Sequence, residues 1–259
     1  MGKGGDMVGK RVRRLLVAGL ALHLWGVKVL KPGLAELLDP RWHREVPLRL
    51  TARTLARLLP WLYSRWGERG VKSLQYVFYQ VGRDRAPLLM EYLEIDPDDA
   101  RSLGRVLDYE DGLVGVRGTW TEECRGRAVK EERYCPIAAD LSGCPEVCTR
   151  LMMALEAGTF SVINPDLAVP ELTKLLSTGD DCCLAVIELP YLKRREARQV
   201  SPQATPGAFP PRIRPPGLLP RLALVMPLSL IKALLRLALQ GPDRLDMHWY
   251  DFFRYQPGE

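Results

Sequence analysis

The apolar residues of this chain change their spacing partway along. Up to about residue 107 they recur every three or four positions, as on one face of a helix; "RTLARLLPWLYSRWGERG" sets Leu55, Leu58, Leu59, Leu62 and Trp66 on one stripe, with a kink expected at Pro60. "KSLQYVFYQVGRDRAPLLMEYL" continues as one long or broken helix. Asp96 followed by Pro97 reads as a cap and first-turn pair, predicting a helix over residues 97–107. Then "LVGVRGTWTEEC" and "AVKEERYC" alternate every second residue, as strands do. The intervening "RGR" predicts a hairpin, with Gly126 supplying the positive φ such a turn can need.

Helical spacing returns in "SGCPEVCTRLMMALEAGTF", with Cys144 as cap, Pro145 in the first turn and Gly158 as the stop. "PDLAVPELTKLLSTGDD" predicts a short helix over residues 170–177 closed by Gly179, and residues 182–189 read as a final strand. The order defines an α+β protein in which N-terminal helices pack on a small antiparallel sheet. Four segments follow: a basic amphipathic arm over residues 1–48, the α+β domain over 49–190, a Pro-rich linker over 191–217 ("SPQATPGAFPPRIRPPG"), and an amphipathic C-terminal helix and tail over 218–259. In the last, Lys232 and Arg236 share one face while Leu228, Ile231, Leu235 and Leu239 form another. That helix could pack on its own core, on a partner or on a membrane interface.

The net charge of +6 conceals an acidic middle between basic flanks. Residues 1–90 hold 17 Lys/Arg against 6 Asp/Glu, residues 91–190 hold 9 against 20, and residues 191–259 hold 11 against 5. The plainest reading has these charges solvate helix faces. Beyond it, a membrane surface or a partner protein suits the flanks better than nucleic acid, because no zinc-finger spacing, RNP-type motif or helix-turn-helix pair is visible. "KRVRR" before "LLVAGLALHLWGV" imitates a secretory signal but lacks a clear cleavage site, and about thirteen apolar residues are too few to span a bilayer. Six cysteines without a convincing signal suggest reduced thiols and a cytoplasmic location, with peripheral membrane attachment left open. His23, inside the apolar run, reads as a core or interface histidine.

Chemistry centres on the thiols. In a strand Cys182 and Cys183 point to opposite faces, so only one can serve a given pocket. Cys144 and Cys148 flank a helix start, where unpaired N–H groups would lower a thiol pKa. Cys135 ends a strand at the junction feeding that helix. Cys135, Cys148 and Cys183 could thus meet at one rim, three thiolates plus an open position suiting zinc, or one activated thiolate serving as a nucleophile. Packing as small hydrophobes is the competing role. The three histidines, His23, His43 and His248, all lie outside this unit, so a local base would be a carboxylate such as Asp140, Asp180 or Asp181, or a metal-bound hydroxide. Asp180 and Asp181 could equally finish the turn after Gly179.

The motif order also resembles a known family, the L-2-amino-thiazoline-4-carboxylic acid hydrolases. The resemblance rests on Cys135-Pro136 after a strand, Cys148 on the following helix, Asn164-Pro165, and Gly179-Asp180 with Cys183 leading into a strand. It is closest over about a quarter of the chain and extends more loosely over residues 50–189. Cys144 and Cys182 are additional thiols, and the basic flanks fall outside it. It implies a hydrolase acting on a small cyclic amidine or other C–N substrate. Cys135, Cys148 and Cys183 would then hold a divalent metal such as zinc, and Asp180 would position water or the amidinium. The architecture is similar, too, to vinyl-reductase-type small-molecule-binding domains, which implies a second reading: a domain that binds a small molecule or metal without transforming it. A membrane-peripheral scaffold is a third.

Overall fold

A computed structural model describes residues 40–172, 174–190, 192 and 218–241. The arm before residue 40, most of the linker and the tail after residue 241, with His23 and His248, lie outside the described residues. The chain is α+β. Helices α1 (Pro40–Trp66), α2 (Glu68–Leu93) and α3 (Ala100–Val114) lead into a hairpin of β1 (Arg117–Glu123) and β2 (Arg127–Tyr134). A short α4 (Ala138–Leu141), a π-helical turn (Val147–Met152) and α5 (Met153–Ile163) follow. Then come β3 (Ala168–Leu172), a 3₁₀ turn (Leu176–Thr178), β4 (Cys183–Glu188) and α6 (Leu218–Gln240). The strands lie in the order β1-β2-β4-β3, and every pairing is antiparallel.

Helix α2 is the axis of the molecule. It runs unbroken through Pro87 and buries Val71, Tyr76, Val77, Tyr79, Ala86 and Leu89. It ends where Glu94 turns left-handed at φ 50°. Its tightest partner is α5, and two glycines set that approach: a Cβ on Gly82 would overlap the carbonyl oxygen of Leu155, and one on Gly158 would overlap that of Tyr79. Gly158 therefore lies inside α5 as a contact point and does not stop it. With the backbones this close, Phe160, Ala154 and Ala157 of α5 are fully buried in one core with Leu89, Leu103, Ile187 and Leu189. Burying each such large side chain contributes about 1.5–3 kcal/mol.

Several expected boundaries move. Asp99, not Asp96, caps α3: its carboxylate accepts from the backbone N–H of Arg101. Asp96 instead organises the turn before it, accepting from the N–H of Asp98. Helix α3 continues through Leu113 and Val114 until Gly115 closes it at φ 87°, so β1 starts at Arg117. The hairpin is closed by reciprocal hydrogen bonds between Cys124 and Arg127, and Gly126 is not among the positive-φ positions. Residues 168–172 form edge strand β3 where a helix was expected; pairing with β4 satisfies their backbone, and only a 3₁₀ turn remains of that helix. Helix α1 runs through Pro60 without interruption. Its inward stripe is Ala52, Leu55, Ala56 and Leu59 over a second core cluster with Leu141, Val147 and Leu151, while Trp66 lies exposed against Trp61.

Candidate functional site

The helix-facing side of the sheet carries charge. Ala128, Lys130 and Glu132 of β2 pair with Ile187, Ala185 and Cys183 of β4, and cross-strand partners share a face. Ile187 and Ala128 enter the apolar core. Two residues further along each strand the same face becomes polar. Lys130, 2% exposed, lies between Asp108 (2.6 Å) and Asp111 (2.5 Å) of α3 and stacks 5.3 Å from the Trp120 ring centre. The Trp120 indole N–H donates to Asp108 at 3.1 Å, and its ring fits against α3 because position 104 is glycine. Beneath this group, buried Arg85 of α2 ties three helices together. It pairs with Glu110 of α3 at 2.5 Å and Glu156 of α5 at 3.2 Å, and its Nε donates to Thr159 at 2.9 Å.

The network holds more acid than base: Asp108, Glu110, Asp111, Glu132 and Glu156 face Arg85 and Lys130. Burial and neighbouring carboxylates consequently favour neutral acids. Burial pushes Glu110 well above the ordinary carboxyl range, with Glu156 adding to the push and Arg85 opposing it. Glu132 is pushed up to about 7, first by burial and then by the charge of Asp111, against the pull of Lys130. A proton held more tightly in the folded chain stabilises it fully below the unfolded value of about 4.5, and that stabilisation is lost as pH rises through about 7. Stability is therefore expected to fall between those limits by on the order of 3 kcal/mol. Urea titrations across this range should show the decline, and Glu132→Gln should flatten it; a variant with an unchanged slope would assign the proton elsewhere.

The three expected cysteines border Glu132. Cys183 is its cross-strand partner, Cys135 follows the end of β2, and Cys148 lies in the π-helical turn. The turn at residues 176–178 joins two of them: the Leu176 N–H donates to Cys183 Sγ at 3.4 Å, and the Ser177 hydroxyl to Cys148 Sγ at 3.9 Å. Cys148 and Cys183 lie within electrostatic reach of each other, of Cys135 and of Glu132. All four residues are half-buried.

The thiols are not activated. Burial pushes Cys148 up to about 11 and Cys183 up to about 12, and raises Cys135, with Glu132 adding to each. At Cys144 burial and Glu146 outweigh the helix-start N–H of Val147, giving about 11 where a lowered value was expected. Among the described residues no three His, Cys, Asp or Glu side chains form a group that could hold a metal ion. The zinc expected on Cys135, Cys148 and Cys183 thus finds no three-residue ligand set among the described residues.

Asp180 does not join the rim. Its carboxylate accepts from the Leu175 N–H at 2.7 Å and the Thr178 hydroxyl at 3.1 Å, fixing the turn that Gly179 closes at φ 96°. Asp181 pairs on the surface with Lys174, and Asp140 binds Arg49 and Arg53 of α1, which hold it below its usual range. Cys182, in the bend just before β4, is buried with its thiol 3.6 Å from the Asp181 carboxylate. Asn164 ties the α5 end to the α3 approach, donating to the Pro97 carbonyl at 2.8 Å beside a shallow surface cleft.

Glu132, Lys130 and Asp111 were not expected from sequence. The available signal was weak: in "RAVKEERY" Val129 marks the opposite parity as the apolar one, so Lys130 and Glu132 read as solvent-facing. The chain matches no protein-family model and no curated protein.

Proposed function

We propose that the protein takes up a small cationic nitrogen compound, such as a cyclic amidine, at the rim formed by Glu132, Cys135, Cys148 and Cys183, and hydrolyses a C–N bond of it. The observation that carries this reading is Glu132, a half-buried carboxyl near neutrality in a site with more acids than cations. An amidinium would supply the missing positive charge and pair with carboxylate oxygens in a planar, two-point geometry. The resemblance to the aminothiazoline carboxylate hydrolases points to the same substrate class.

The step balances without a metal or a thiolate. Water adds to the ring carbon between nitrogen and sulfur while Glu132 takes its proton. The ring C–N bond then breaks as Glu132 returns that proton to the departing nitrogen; the remaining hydroxyl proton passes through the same carboxylate to the freed amine, leaving a carbonyl. The neutral thiols line the site as apolar walls that limit water access.

The raised thiol pKa values favour a second reading, a binding domain with no turnover, because the rim lacks an activated nucleophile. Incubation with 2-aminothiazoline-4-carboxylate, followed by chromatography and calorimetry, separates the two. Hydrolysis whose rate rises through pH about 7 and drops at least about a hundredfold in Glu132→Gln supports the enzyme. Binding without product supports the binder, and neither binding nor product overturns both.

A further inference from the structure

Helix α6 packs on the core through Leu222, Ala233, Leu230 and Leu237, and its cations reach across to α2 from the edge of that contact. Lys232 pairs with Asp84 at 3.0 Å, Arg236 donates to Gln80 at 3.2 Å, and Arg221 lies 3.7 Å from Glu91, all on α2. Small or polar residues, Ser229 and Ala233, fill the buried contact with Leu222. On the opposite face a second set of large apolar residues is left outside: Leu224, Leu228, Ile231, Leu235 and Leu239 are between 49% and 85% exposed. Their spacing of four, three, four and four residues draws one straight stripe along about four turns.

We propose that this stripe is a dimer interface, occupied by α6 of a second copy of the chain. Two observations select that occupant. The stripe is self-complementary: around a two-fold axis each leucine meets a leucine or Ile231, as an isologous contact demands. Covering it on both copies removes about 1,200 Å² of surface, the lower bound for a stable interface. A lipid surface fits less well. A helix lying on a membrane offers its cations to head groups, whereas those of α6 are engaged by Glu91, Asp84 and Gln80 of α2.

Light scattering on the full chain, diluted over two decades of concentration, tests this. We expect a mass near 58 kDa, twice the 29.2 kDa chain, shifting toward one chain on dilution. Leu228→Glu with Leu235→Glu should give a single chain throughout, with unchanged circular dichroism, because both side chains are solvent-exposed. A wild type that is monomeric at every concentration overturns the proposal, as does a double variant that still dimerises. Vesicle binding by a monomeric wild type, lost in the double variant, would assign the stripe to lipid. Cross-links within a monomer from residues 15–27 to α6 would assign it to the chain's own apolar segment. Either result also overturns the dimer.

Discussion

Gly158→Ala is expected to destabilise the protein by about 3 kcal/mol or more, at the upper end of what overpacking costs. The added methyl would overlap the Tyr79 carbonyl, a backbone atom within an intact helix that cannot swing aside as a side-chain tip can. Relief requires α2 and α5 to separate, and that loosens Phe160, Ala154 and Ala157 together. Chemical denaturation measures the loss. Gly143→Ala is the control, since its Cβ meets nothing within 4 Å and its φ is ordinary. Equal midpoints for the two variants would mean that the helices do not approach through Gly158.

Lys130→Met should cost about 3–5 kcal/mol, the usual penalty for removing one partner of a buried ion pair. The methionine chain can keep the packing against Trp120, but Asp108 and Asp111 lose the ammonium between them. The pH dependence separates charge from packing. Asp111 is already raised by burial, with Lys130 as the opposing pull. Without that pull its folded value climbs further above the unfolded one, so stability is recovered as pH falls. Lys130 itself is raised above 10.5, so the wild-type contribution is full below that value and is lost only at more alkaline pH. The deficit of the variant should therefore shrink in acid, and Asp111→Asn added to Lys130→Met should restore part of it at pH 7. A deficit that is constant with pH would show lost packing to be the cause.

Local chemistry made parts of this legible in advance. The hairpin, the final strand and the α5 helix follow from the change of apolar period, although that strand starts at Cys183 and leaves Cys182 in the bend before it. Element order also suggested that Cys135, Cys148 and Cys183 meet at one rim, but among the described residues they form no three-ligand group. The helix expected over residues 170–177 failed because an edge strand draws its backbone partners from β4, which no local pattern announces. The cap of α3 slipped from Asp96 to Asp99 because the aspartates lie close together and each can accept a backbone N–H.

What the sequence determined by itself was the succession of helix and strand, and with it the α+β class, because period and turn residues act over a few positions. Only the tertiary structure decided which side of each element is inside. Lys130 and Glu132 face the helices although the neighbouring Val129 marks the other parity as apolar, and of the leucines of α6 Leu222 is buried while Leu224, Leu228, Leu235 and Leu239 are exposed. The reason is physical: a buried charge is tolerated only where an opposite charge from another element arrives to meet it, and that meeting is set by three-dimensional packing.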